Sequence, residues 1–152
     1  MSLEQKLGYF FFDKNHLKRA LYHPSFEGET ELPEPPFDQV AYGVLGRSLL
    51  AAVVTEFALR SGCDTIETIA HQGAQILEPQ RLQALQEDLC LEFYVKLSPA
   101  AKADGQSQDP TVLQETFEAL VAAVYLDGGY SSMRRIVKHL LVDPVLGPTE
   151  AG

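Results

Sequence analysis

Hydrophobic residues recur every three to four positions along most of the chain, which is the spacing of helices that bury one face. The longest such run extends from Asp38 to about Arg60, is apolar on nearly all sides, and predicts a buried central helix. A second run begins at Thr111 and ends at the Asp-Gly-Gly helix stop of residues 127–129. Shorter runs predict helices that end near His23, extend from Pro79 to Leu89, and extend from Ser131 to Leu141. No run has the alternation of a strand, so we predict an all-α fold of six or seven helices around the buried central helix.

Glycine and proline punctuate this pattern. Gly43 and Gly46 lie inside the central run, where each weakens a helix by about 1 kcal/mol relative to alanine, so we expect a neighbouring element to pack closely there. Polar segments at 27–36, 61–65 and 98–110 predict loops, and we expect the last to be the most mobile.

Charge changes this picture. The net charge is -9 and the pI about 4.8, which argues against nucleic-acid binding through broad electrostatics. The two densest basic groups lie at helical spacing and are expected to be solvated helix faces; they are Lys14, Lys18 and Arg19, and Arg134, Arg135, Lys138 and His139.

The cysteines, the apolar runs and the N-terminal residues indicate the metal content and the cellular compartment to expect. Cys63 and Cys90 are isolated, so a zinc site is not expected and both should be free thiols. No apolar run approaches the roughly 20 residues of a membrane span, and the first residues do not resemble a secretory signal. We therefore expect a cytoplasmic protein without membrane contact.

Three segments resemble the ribonuclease III family, in its order and at its distances. LGYFFFDKNHLKRALYHPSF is similar to the opening helix and ALTHxSY turn, with His23 and Ser25 at the motif positions. QVAYGVLGRSLL resembles the signature NERLEFLGDAVL without a gap, and ETFEALVAAVYLDGGY resembles DAFEALIGAIYLDGG. The resemblance spans about residues 5–141. It implies a single nuclease-type domain over 1–152, of the short Mini-III size, with no double-stranded-RNA-binding domain.

The resemblance also implies a metal centre. Family members cleave double-stranded RNA with Mg²⁺ held by four carboxylates, two on the signature helix and two on the later helix. On this chain the first pair falls on Gly43 and Arg47, so both ligands are lost, and the second pair falls on Glu115 and Glu118, where the family has Asp and Glu. A glutamate in place of aspartate displaces its carboxylate by about 1.5 Å, which disturbs the octahedron that Mg²⁺ requires.

The arginine at the third ligand position is the most informative departure. We hypothesise that Arg47 pairs with Glu118 or Glu115 and substitutes for the charge of the ion. The resemblance then implies a domain that keeps the fold but not the cleavage, with no cofactor. If any metal binds, Glu115 and Glu118 are its ligands, and the ion is Mg²⁺ if the protein is active.

The family's RNA-binding and dimer surfaces are altered as well. His71 falls where the family has an arginine, so it is a weak candidate for RNA contact. Family members pair as two-fold dimers through the signature helix, and the corresponding candidates here are Tyr42, Val44 and Leu45.

Three functions remain open from the sequence. The first is an inactive ribonuclease III-like partner, as a homodimer or a heterodimer with an active paralogue, whose contact with structured RNA is weakened by its acidic charge. The second is a divergent, active Mini-III-like endoribonuclease that uses Glu115, Glu118 and a further carboxylate such as Asp38. The third is a ribosome-associated scaffold domain.

Overall fold

A computed structural model describes residues 1–26 and 37–148, so the predicted loop at 27–36 lies outside the described residues. The α-helices of these two ranges, in chain order, are α1 (Leu3–Leu7), α2 (Lys14–Leu21), α3 (Val40–Arg60), α4 (Ile66–Ile76), α5 (Pro79–Asp88), α6 (Leu91–Tyr94), α7 (Pro99–Ala103), α8 (Pro110–Val137) and α9 (Asp143–Leu146). Seven of them have five or more residues, and the only β pairing recorded between described residues is an isolated bridge between Tyr22 and Lys96. The predicted all-α fold is confirmed.

Local sequence chemistry fixes where the helices begin. The Asp13 side chain accepts from the backbone N–H of Asn15 and so caps α2, whereas Thr65 forms a reciprocal capping pair with Thr68 at the start of α4. Proline occupies the first turn of α5 and of α8, where its missing N–H costs nothing. The start of α5 at Pro79 agrees with the sequence prediction, and α8 begins one residue before the predicted Thr111.

The core lies between α3 and α8. Residues Thr116–Val124 of α8 are buried without interruption, because α3 and α2 pack against different sides of this helix. α3 itself buries only one face, through residues such as Leu50, Val53 and Phe57, while Val44 and Leu59 are exposed. The stretch that is enclosed on all sides is therefore the middle of α8 and no part of α3.

The expectation that no apolar run approaches the length of a membrane span is wrong for α3. Its 21 residues include a stretch of mean hydropathy 1.4, so by length and composition it could cross a membrane. Its buried face packs against α8, as the core helix of a globular domain does.

The predicted stop at 127–129 is present, whereas the predicted loop at 98–110 is partly helical. Gly129 takes φ 87° and ψ 176°, a non-helical conformation open to glycine, so the helix breaks there; the last part of α8 follows this break as a separate helical segment to Val137, with Met133 and Ile136 buried. The segment 98–110 contains α7, which Ser98 caps and which buries Ala101 in a small second core with Val95, Leu97 and Val112. Burial of apolar side chains therefore gives part of this predicted loop a helical conformation.

Ion pairs fasten the two long helices at their far ends. The Arg134 guanidinium donates to both carboxylate oxygens of Glu56 on α3, at 2.6 to 3.1 Å, and Arg60 donates to the same carboxylate at 2.6 Å. These cations lower the pKa of Glu56 to about 2. The sequence suggests that Arg134 and Lys138 are solvated. In the structure Arg134 pairs with Glu56, and Lys138 pairs with Asp143.

Candidate functional site at the crossing of α3 and α8

The two segments that carry the signature motifs meet where α3 crosses α8. A Cβ atom added at Gly46 would lie 1.7 Å from the backbone oxygen of Glu118, a distance that real Cβ atoms do not reach. At Gly43, one turn earlier, the same atom would lie 3.7 Å from the backbone oxygen of Glu115, in ordinary contact. The close packing predicted from the two glycines is confirmed, and Gly46 is the point of closest approach.

This crossing brings Arg47 to Glu118. Arg47 Nε lies 3.6 Å from Glu118 Oε2, and the two side chains differ sharply in exposure, 62% for the arginine and 9% for the glutamate. Burial raises the pKa of Glu118, while the Arg47 cation and a hydrogen bond from Gln114 act in the opposite direction. The ion pair hypothesised from the sequence is thus present, with Glu118 and not Glu115 as the acceptor.

A pair of glutamines supports the buried carboxylate from behind. Gln114 hydrogen-bonds Glu118, and its own side-chain oxygen accepts from Gln86 Nε2 at 2.8 Å. Gln86 lies on α5 and is only 2% exposed. Neither glutamine was predicted from the sequence. Gln114 could have been found from its position one helical turn before Glu118, but nothing in the sequence indicates Gln86.

Around the ion pair lies an open cavity of about 340 Å³. Arg47, Gln114, Glu115 and Glu118 line it together with the first turn of α8. Glu115 is exposed, whereas Glu118 is buried, so two carboxylates that are neighbours on one helix face have different environments. The cavity therefore offers one solvated carboxylate and one that is already paired with a cation.

Two further residues named from the sequence lie within electrostatic reach of this cavity. Burial lowers the pKa of His23, and the carboxylates of Glu115 and Asp38 act to raise it. His23 Nδ1 accepts from the backbone N–H of Ser25, so its ring is fixed by the turn that follows α2. Asp38 Oδ1 accepts from the backbone N–H of Val40 and helps to start α3.

The other candidates from the sequence lie apart from the cavity. His71 is exposed on α4 and does not line it. Tyr42 on α3 is half-buried against α2 of the same chain. Its hydroxyl is hydrogen-bonded to His16 Nδ1 at 2.8 Å, and the Arg19 guanidinium lies over its ring at 4.6 Å from the ring centroid. Leu45 is partly buried in the core, and Val44 is exposed. Of the three predicted interface residues, only Val44 is presented to solvent as a large apolar side chain.

Comparison with known proteins identifies the family of the chain. The model of the family described as Ribonuclease-III-like matches residues 13–145, which includes the second and third motifs, most of the first, and the α3/α8 crossing. The chain belongs to the ribonuclease-III-like family. The family resemblance read from the motifs is confirmed.

Relatives with the name ribonuclease 3 match nearly the whole chain. The protein from Solibacter usitatus is 32% identical over 156 residues, covering 99% of this chain and 58% of its own length. The one from Caldanaerobacter subterraneus is 30% identical over 148 residues, covering 95% of this chain and 64% of its own. The chain thus spans less than two thirds of these relatives.

The fold agrees with a solved nuclease domain. The nuclease domain of ribonuclease III from Campylobacter jejuni superposes with a TM-score of 0.82 at 25% identity, covering 96% of this chain and 97% of that domain. Its description concerns flexibility in a region involved in dimer formation of that domain.

The carboxylate set at this ribonuclease-III-like crossing does not fit the Mg²⁺ that the family implies. Mg²⁺ requires close to octahedral oxygen coordination at about 2.1 Å, usually with carboxylates at the core of the site. Gly43 has no side chain to offer, Arg47 places a cation beside Glu118, and only Glu115 and Glu118 remain. Within residues 1–26 and 37–148, no group of three or more His, Cys, Asp or Glu side chains is arranged for a metal.

Proposed function

We propose that this ribonuclease-III-like domain does not cleave RNA and acts as a dimeric structural or regulatory partner in the processing of double-stranded RNA. The observation that carries the proposal is the Arg47–Glu118 ion pair at the α3/α8 crossing. Cleavage in this family depends on a divalent ion, whereas here a side chain of the protein supplies the positive charge.

Charge at the cavity opposes a metal. A guanidinium is permanently protonated and cannot act as a ligand, so Arg47 contributes only repulsion to an incoming divalent cation. Glu118 is already partnered by Arg47 and Gln114, so its carboxylate would have to give up interactions to bind an ion. Glu115 alone is a weak site, because one exposed carboxylate cannot replace the water shell of Mg²⁺.

The exposed face of α3 supports the dimer. It presents Val40 and Val44, which are 56% and 57% exposed, and Leu59 at its far end. Between them lie the short exposed side chains of Ser48, Ala51, Ala52 and Thr55, with the exposed Arg47 beside them. A continuous surface of this kind allows two copies of a helix to approach closely around a two-fold axis. The dimer-forming region described for the Campylobacter domain is consistent with this proposal.

The dimer is tested by the mass of the protein in solution. We expect light scattering after gel filtration to give a dimer for the natural chain and a monomer for Val44→Asp, because burying an unpaired charge at the interface is costly. Ile66→Asp on α4 is the matched control, since Ile66 is also a large exposed apolar residue, and it should stay dimeric. A dimer that survives Val44→Asp would place the interface elsewhere.

The loss of cleavage is tested by rebuilding the ligand set. We expect the natural chain to leave double-stranded RNA uncut in Mg²⁺ and in Mn²⁺. The triple variant Gly43→Glu, Arg47→Asp, Glu115→Asp should bind the ion, which a rise in melting temperature with Mg²⁺ would show. The space at Gly43 permits a side chain.

The control for this experiment is Glu118→Ala. Added to the triple variant, it should abolish the metal-dependent rise and any cutting. If the natural chain itself cuts RNA and Glu118→Ala removes that activity, the domain is an active endoribonuclease and the proposal is wrong.

A further inference from the structure

A second cavity lies away from the α3/α8 crossing and shares no lining residue with it. It has a volume of about 390 Å³ and lies between the turn after α2, helix α6, and the segment that contains α7. Its chemistry is carried by Phe26, Phe93, Lys96, Lys102, Ser107 and Gln108. Cavities that bind small ligands typically have volumes of about 300–1,000 Å³ and combine apolar walls with a few polar groups.

An aromatic side chain stands at this cavity without a packing role. Phe93 is 76% exposed although it belongs to the four-residue helix α6, whose Leu91 is fully buried. Phe26 lines the same cavity and contacts the Tyr22 ring at 5.1 Å between centroids. An exposed phenylalanine in contact with a cavity offers a flat face on which a nucleobase can stack.

Two cations line the cavity beside this aromatic face. Lys96 and Lys102 are exposed, and neither makes an ion pair among the residues that the structure describes. Among the described residues that line the cavity, two are cationic and one, Glu92, is acidic, although the chain as a whole has a net charge of -9. Lysine ammonium groups bind phosphate as point charges.

The frame of the cavity is fixed before any ligand arrives. Lys96 donates its backbone N–H to the Leu21 oxygen at 2.7 Å and accepts from the His23 N–H at 3.0 Å. The Ser98 N–H donates to Ser25 Oγ at 3.0 Å, so the strand-like segment before α7 is tied to the turn after α2 at three points. A preformed frame lowers the ordering cost of binding.

We propose that this cavity binds a nucleotide, with its base stacked on Phe93 and its phosphate between Lys96 and Lys102. Ser107 and Gln108 supply hydrogen-bonding groups for the base or the sugar. The site takes an unpaired nucleotide, because a base within a duplex has no free face to stack. It does not depend on whether the domain cleaves RNA, since a free mononucleotide is sufficient to occupy it.

The test is a calorimetric titration of the full chain with adenosine 5′-monophosphate at low salt. We expect Phe93→Ala to weaken binding about tenfold, as loss of one base–aromatic stack does. Lys102→Gln should weaken it about fivefold and reduce its salt dependence, because one phosphate contact is lost. Adenosine and inorganic phosphate should each bind at least about tenfold more weakly than the nucleotide, since each makes only part of the contacts.

Matched controls come from the same chain. Phe12→Ala removes another phenylalanine, 88% exposed, and Arg135→Gln removes another exposed cation; neither residue lines the cavity, and both variants should bind as the natural chain does. Circular dichroism verifies that every variant is folded.

The source of the nucleotide is separated by two further probes. A short single-stranded RNA that binds with the same dependence on Phe93 and Lys102 identifies unpaired RNA as the ligand, and mononucleotide binding without it identifies a free nucleotide. The proposal is overturned if neither probe binds at millimolar concentration, or if the Phe93 and control variants bind equally. It is also overturned if only blunt double-stranded RNA responds to these substitutions.

Discussion

The sharpest consequence of the α3/α8 crossing is that one substitution has opposite effects at two glycines three residues apart. In Gly46→Ala the new methyl group would lie 1.7 Å from the Glu118 backbone oxygen, and it cannot come closer than 3.0 Å. The two helices must therefore separate by about 1.3 Å along the most buried stretch of the core, which leaves neighbouring side chains without part of their dispersion contacts. Overpacking of this kind costs about 1–3 kcal/mol, and the separation of two long helices places Gly46→Ala at the upper end, about 3 kcal/mol or more.

Gly43→Ala is the matched control. Its methyl group would meet only the Glu115 backbone oxygen at 3.7 Å, so the higher helix propensity of alanine should stabilise the fold by up to about 1 kcal/mol. Urea unfolding followed by far-ultraviolet circular dichroism gives both free energies of unfolding. The reasoning is refuted if both variants shift stability in the same direction, or if Gly46→Ala loses less than about 1 kcal/mol.

Three further predictions concern charged groups. Because the pKa of Glu56 is lowered to about 2 from 4.5, its stabilising contribution is fully present above about pH 4.5 and is lost as the pH falls toward 2. Glu56→Gln should remove this part of the decrease in the free energy of unfolding at acid pH. An unchanged decrease at acid pH would contradict the prediction. Arg47→Met should raise the pKa of Glu118 further, since it removes a cation that opposes the effect of burial, and a carboxyl-detected NMR titration measures the change; a pKa that does not move would show that the ion pair is absent in solution. Asp127 accepts from a tyrosine hydroxyl and two backbone N–H groups at 2.6 to 2.9 Å, so Asp127→Ala should lower the free energy of unfolding by about 2 kcal/mol, and a loss under about 0.5 kcal/mol would show these bonds to be dispensable.

Several parts of the fold could be predicted because their causes are local. The proline ring of Pro79 has a backbone angle suited to the first turn of a helix, and the structure has a helix that begins there. The two glycines of α3 predicted a close neighbour, since a glycine inside a long apolar helix is otherwise only destabilising.

Other parts could not, because they depend on which elements meet. The helix break at Gly129 was predicted, but not that the segment after it packs back and buries Met133 and Ile136 in the core. Tyr42 reads as an interface residue, yet it turns to His16 and Arg19 of its own α2. Gln86 has no sequence signal at all and approaches Gln114 only because α5 packs on α8.

The family, the helical class and the presence of a glycine and an arginine at positions 43 and 47 could be read from the sequence alone, because these are properties of residue identity and spacing. The fold in three dimensions was needed to show that Arg47 pairs with Glu118 rather than Glu115, that the middle of α8 and not α3 is enclosed on all sides, and that Phe93 and two lysines line one cavity. The physical reason is that burial and charge pairing arise between residues distant in the chain. Their partners are set by the packing of whole helices, which no local pattern specifies.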